Sequence, residues 1–196
     1  MTSQNRVPPR LDRLAASASA TSGKALPPVH LWTPPFQGDI DITIARDGTW
    51  WHEGRPILRE ALVRLFASIL RRDPERYVLV TPVECVGITV EDAPFVAVDV
   101  DVVGTGETQS LTFHTNVGDT VVAGPDAPLR VESDPQTEAP SPYVLVRAGL
   151  EARIDRKTFY RLADHAVEHP HGGADCLGVW SGGVFFPLYQ PDTEPN

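Results

Sequence analysis

The chain is short of the residues that most often announce chemistry. Its 196 residues include two cysteines, Cys85 and Cys176, and a single methionine. Two cysteines this far apart form neither a zinc knuckle nor a disulfide framework, so both are read as reduced thiols of a cytoplasmic protein. No apolar run approaches the roughly 20 residues that cross a bilayer, which argues against a membrane helix and a membrane partner. There is no Gly-x-Ser-x-Gly elbow, and Ser181 in Trp180-Ser181-Gly182-Gly183 reads as part of a hairpin turn, not a nucleophile. Gly104-Thr105-Gly106 lacks the third glycine and the following helix of a phosphate-binding loop, so it too is a turn.

Positive charge is scarce where the net charge of −9 accumulates. Residues 77–134 carry ten acidic side chains against Arg130 alone. Such a segment repels phosphodiester backbones, and no extended nucleic acid is expected as a partner. The first 26 residues are the reverse, with Arg6, Arg10, Arg13 and Lys24 against Asp12. This Ser/Ala/Arg-rich stretch has no apolar core of a secretory signal and is expected to be a disordered tail, and residues 191–196 are expected to be a C-terminal tail.

What is present is an ordinary globular composition, 41% hydrophobic and 22% charged, broken by 19 prolines and 15 glycines. That density of breakers predicts short elements and many turns. Ile40, Ile42 and Ile44 alternate with Asp39, Asp41 and Thr43 as in a half-buried strand. Asp47-Gly48 turns the chain into a returning strand at 50–52, and Glu53-Gly54 turns it again. Residues 58–72 change period and predict a helix burying Leu58, Leu62, Leu65, Phe66 and Ile69, stopped by Asp73-Pro74.

Strands are expected at 77–80, 86–90, 96–102, 111–115, 120–123, 129–132 and 143–148. In the third of these Val96, Val98, Val100 and Val102 should share the inner face. Asp155 can cap a second helix running to about His169, stopped by Pro170 and Gly172-Gly173, before a closing hairpin at 177–188. Tyr77-Val78-Leu79-Val80 recurs as Tyr143-Val144-Leu145-Val146. The predicted fold is therefore α+β: two small related β-rich units, 27–103 and 104–190, with mostly antiparallel sheets and one main helix each.

Three clusters compete for function. His165 and His169 stand four apart on the predicted helix, with Asp175 and Cys176 nearby, the composition of a metal site. Arg147, Arg153, Arg156, Lys157 and Arg161 concentrate around the start of that helix, where free backbone N–H groups favour an anion. Thr81-Pro82-Val83-Glu84 and Asn116-Val117-Gly118-Asp119 place polar groups at strand ends, the usual address of binding residues, but ordinary turn chemistry explains them without a ligand and is the preferred reading of the residues alone.

The pieces GDIDITIARDGTWWHEGRPI, YVLVTPVE with GITVEDAPF, TNVGD and PYVLVRAGLEARIDRKTFY together resemble the bacterial domain-of-unknown-function family 1285, over roughly residues 27–188. The resemblance implies a duplicated two-domain core whose second unit is loosely pleckstrin-homology-like. It also implies a ligand site at the interface of the units, suited to a nucleotide-like molecule, and a signalling role, with no activity established. Carried over by motif, the ligand-binding candidates are Thr81, Glu84, Asn116, Asp119, Arg147, Glu151 and Arg153. The family pattern has a Lys after Thr-Pro-Val-Glu, where this chain has Cys85.

The expected function is a non-enzymatic cytoplasmic module with no cofactor. Arg147 and Arg153 would pair the phosphates of a nucleotide-like small anion while Glu84 or Asn116 orients the rest. One alternative is a metal-binding protein or metal-dependent hydrolase built on His165, His169 and Asp175 or Cys176. Another is a protein-interaction module offering its acidic 77–134 surface to a basic protein partner.

Overall fold

Leu11, Leu14 and Ala18 recur at helical spacing, and in the structure all three are buried on one face of helix α1, Pro9–Thr21. The computed structural model describes residues 9–21, 23, 25–133 and 139–189. The expected disordered tail is thus corrected over α1. Its polar Ser/Ala/Arg composition hides an apolar stripe, and burying that stripe offsets the ordering entropy. The rest of that tail, 1–8, 22 and 24, and the expected tail at 191–196 lie outside the described residues.

The chain divides into two units, Met1–Glu91 and Asp92–Asn196. In the first, β1 (Phe36–Ile44) turns at Asp47-Gly48 into β2 (Trp50–His52), and Glu53-Gly54 turns that into β3 (Arg55–Pro56). Both Glu53 (φ 48°) and Gly54 (φ 71°) adopt positive φ, as the tight turn between these strands requires. Helix α2, Glu60–Ser68, buries Leu62, Phe66 and Ala67.

Helix α2 is shorter than the apolar pattern predicts. Leu58 is 81% exposed ahead of it, and β4 (Leu70–Asp73) follows at once, paired with β5 (Arg76–Val80). Sheet pairing claims 70–73 because Arg71 finds good partners there. Its guanidinium meets Asp73 (Nε to Oδ1 2.7 Å) and the carbonyl of Trp32 (2.7 Å). After β6 (Cys85–Val90) the sheet order is β3-β2-β1-β6-β5-β4, with β1 and β6 parallel and every other pair antiparallel. Gly87 allows that parallel approach, since a Cβ there would lie 1.9 Å from Asp39 Oδ1.

The second unit repeats this plan strand for strand. Its strands are β7 (Phe95–Val103), β8 (Ser110–Thr115), β9 (Thr120–Val122), β10 (Leu129–Ser133), β11 (Pro140–Arg147) and β12 (Leu150–Ile154). They are ordered β10-β11-β12-β7-β8-β9, with only β12 and β7 parallel. The two copies of Tyr-Val-Leu-Val occupy the fifth strand of each sheet, β5 and β11. The repeat is therefore a repeat of topology as well as of letters.

Four sequence expectations change in detail. The boundary falls between Glu91 and Asp92, because β7 pairs only with β8 and β12 of the second unit. Among the described residues the first unit has two α-helices, α1 and α2, where one main helix is expected. Val98 is 38% exposed while Val96 and Val100 are buried, because an extra residue between Ala97 and Asp99 bulges β7 and breaks its alternation. Strand β12 was not foreseen at all.

Helix α3 spans only Arg156–Ala163, with Asp155 accepting the N–H of Thr158 at 2.7 Å as its cap. It gives way to β13 (Val167–His171), which with β14 (Ala174–Ser181) and β15 (Val184–Tyr189) makes a three-stranded antiparallel sheet. Gly172 and Gly173, both at positive φ, serve as a hairpin turn there instead of a helix stop. Ser181 ties this sheet to the larger one. Its buried hydroxyl accepts the N–H of Leu111 (2.9 Å) and donates to the carbonyl of Ala123 (2.7 Å). Among the described residues no helix is long and apolar enough to cross a membrane.

Candidate ligand-binding site

The turn between β5 and β6 builds the main feature of the first unit. Thr81 donates its N–H to Glu84 O at 2.9 Å, and its Oγ1 accepts the N–H of Glu84 at 3.2 Å. Thr81 is fully buried and its hydroxyl is engaged inside its own turn, so it shapes the site without facing a ligand. The turn rolls Glu84 inward until the residue is 2% exposed. One carboxylate oxygen, Oε2, meets the Arg13 guanidinium from α1 at 3.5 Å. The other, Oε1, is buried with no hydrogen-bond partner among the described residues.

Glu84 stands on the wall of a cavity of about 150 Å³. Leu11 and Leu14 of α1 close one side, and Ile40 and Val86 of the sheet close another. The polar wall is Glu84 together with Asp41, His52 and Glu53; Asp41 and Glu53 are exposed at the rim. A buried carboxylate oxygen without a donor is costly. A second, open hollow of about 580 Å³ runs past Phe36, Arg71, Arg76 and Cys85. Burial pushes the Cys85 thiol above its ordinary pKa, so it is a poor nucleophile.

The remaining candidates lie in the second unit, each with an intramolecular task. Asn116 accepts the N–H of Val96 through Oδ1 (3.0 Å) and donates its own N–H to Val96 O (2.8 Å). Asp119 pairs with Arg147, whose guanidinium also lies 4.8 Å over the Phe95 ring. Glu151 holds Arg130 in a two-pronged pair of 2.7 and 2.6 Å. That pairing lifts the Arg130 pKa further above its ordinary value.

Arg130 also stacks on Tyr143 at 4.2 Å, and Tyr143 donates to Asp92 Oδ1 at 2.8 Å. Burial, then the Asp92 bond, pushes the Tyr143 pKa up to about 12. Arg153 meets the other Asp92 oxygen at 3.4 Å. Arg161 is taken by Asp99 and by Val100 O, and Asp99 is held below its ordinary pKa first by the Val100 N–H.

The metal arrangement loses its premise. His165 follows the end of α3 and His169 sits in β13, so the two do not share a helix. His169 packs against Trp180 and Phe185, with ring centroids 4.9 and 4.8 Å away, and Cys176 donates its thiol to His171 O at 3.5 Å. Among the described residues no three His, Cys, Asp or Glu side chains, Asp175 included, gather to hold an ion. Both cysteines are free and buried.

Sequence reading named Glu84 as a candidate, and none of the other residues that line this cavity was named as one. The signal for Leu11 and Leu14 was present as helical spacing within a polar stretch. No local signal links Asp41 or Glu53 to Glu84, because the sheet alone joins them.

Residues 27–93 match the DUF1285 N-terminal domain, described as a domain of unknown function, and residues 94–188 match the DUF1285 C-terminal domain, described as a protein of unknown function. The chain belongs to the DUF1285 family. A DUF1285 protein of known structure from Silicibacter pomeroyi DSS-3 is 60% identical, covers 89% of this chain and 93% of its own, and superposes with a TM-score of 0.81. One from Shewanella baltica OS155 is 27% identical over 64% of this chain and 92% of its own, with a TM-score of 0.52. No curated protein matches. The DUF1285 match begins at residue 27, so α1, which supplies Leu11, Leu14 and Arg13, precedes both DUF1285 domains. The family description assigns no function, and function has to be argued from the side chains.

Proposed function

We propose that this DUF1285 protein is a non-catalytic binding module whose small-molecule ligand occupies the cavity between α1 and the first sheet. The observation that carries this reading is Glu84, buried on the wall of this cavity and with its Oε1 unpaired among the described residues. Folding selects against such an oxygen unless something outside the chain supplies its donor. A catalytic reading has less support. Ser181 spends its hydroxyl on a structural bridge, and the Cys85 thiol is held protonated by burial.

A nucleotide-like anion at Arg147 and Arg153 has no comparable observation behind it. Asp119 and Asp92 already neutralise those guanidiniums, so phosphates would have to displace carboxylates. The test is a small-molecule screen by amide chemical-shift perturbation on the full chain. Saturable shifts at Leu11, Leu14, Ile40 and Val86 are expected. Ligands that shift only the surroundings of Arg147 and Arg153 would replace this reading with the anion site.

A further inference from the structure

The cavity wall also limits what can fill it. We infer that the ligand, granted that the cavity is a binding site, is a short aliphatic cation: a primary alkylamine or an alkylguanidine. A carboxylate accepts hydrogen bonds, so a group that meets Glu84 on this wall is best one that carries N–H or O–H. A buried carboxylate is best compensated by a positive charge, and the cation that meets Glu84 among the described residues is weakly placed. Arg13 reaches only Oε2, at 3.5 Å, from a side chain that is 68% exposed. Asp41 and Glu53 add carboxylates to the wall beside His52, and they disfavour an anionic ligand.

The body of the ligand follows from the apolar wall. Leu11, Leu14, Ile40 and Val86 are aliphatic, so a methylene chain fits them, and the ring on this wall is the His52 imidazole. A quaternary ammonium has no N–H to give Oε1 and no aromatic cage to receive it. A cavity near 150 Å³ accommodates a ligand about the size of benzene, which means roughly six to eight heavy atoms. A bare metal ion is disfavoured because, among the described residues, no three ligating side chains converge.

The experiment titrates the full chain with butylamine and ethylguanidine, and in parallel with 1-butanol and butyrate as neutral and anionic partners of similar shape. Binding is followed by amide shifts at Leu11, Leu14, Ile40, Glu84 and Val86. The amine and guanidine should bind at least about tenfold more tightly than butanol, a ratio usual for a charge-assisted bond over a neutral one. Butyrate should leave these amides unmoved. Glu84→Gln should erase the amine-to-alcohol preference while melting no lower than the parent, and Arg13→Ala should keep or tighten amine binding.

Equal affinity for amine and alcohol in the parent, unchanged in Glu84→Gln, would overturn the cation and leave the cavity standing as a site. Absence of cavity shifts with all four probes would overturn both readings. The same holds if the amine moves only residues of the acidic 77–134 segment away from Glu84.

Discussion

If Glu84 is kept for a ligand, the ligand-free protein should become more stable without it. Methionine is the informative replacement, since it is unbranched, similar in length and carries no charge. Leaving a buried oxygen unpaired costs about 1–3 kcal/mol, and a charged one lies toward the upper end. The Arg13 contact returns about 0–1 kcal/mol, because it is long and its guanidinium is mostly in water. Glu84→Met should therefore stabilise the protein by about 1–2 kcal/mol, and α1 should stay docked through Leu11, Leu14 and Ala18.

For a chain of this length about 1–2 kcal/mol corresponds to a rise of about 2–8 °C in melting temperature. Calorimetry on dialysed protein, with a urea titration beside it, reads both quantities. A saturating ligand should restore the parent's advantage, since at 100 times its dissociation constant it contributes about 2.7 kcal/mol to the parent alone. A loss of more than about 1 kcal/mol on Glu84→Met would refute the reasoning. It would show that Glu84 is an anchor for α1, with Arg13 as its partner. Glu84→Gln then removes the charge while keeping one acceptor oxygen, and it replaces the other oxygen with an N–H donor group.

Two further outcomes follow from the second unit. Ser181→Ala orphans the Leu111 N–H and the Ala123 carbonyl together, and should cost about 2–4 kcal/mol by urea unfolding; a change under about 0.5 kcal/mol would mean water replaces the bridge. Tyr143 has a folded pKa near 12 against 10 when unfolded, so the folded state holds the phenol proton more tightly. Its contribution is complete below pH 10 and is lost as pH rises toward 12. Alkaline unfolding should steepen across that window in the parent and not in Tyr143→Phe.

Much of the fold was legible in the sequence wherever a period ran uninterrupted. The isoleucines of β1, the Asp47-Gly48 turn, the Asp155 cap and the closing hairpin all depend on neighbours in the chain. The errors arose where two periods compete. Leu11, Leu14 and Ala18 were hidden among serines and alanines. Residues 164–171 have helical composition, yet β13 forms because β14 offers it a partner across Gly172-Gly173. Leu150, Ala152 and Ile154 alternate cleanly, but the cationic residues around them drew attention to the following helix instead.

By itself, then, the sequence determined the α+β class, the doubled plan signalled by two copies of Tyr-Val-Leu-Val, and the acidic character. These follow from composition and local spacing, which survive without knowledge of the fold. The tertiary structure alone decided that Arg147 and Arg153 face carboxylates, that His165 and His169 part company, and that α1 lies over a cavity with Glu84 on its wall. Those facts depend on residues far apart in the chain meeting across paired strands, and a carboxylate's chemistry is set by whichever donors reach it in space.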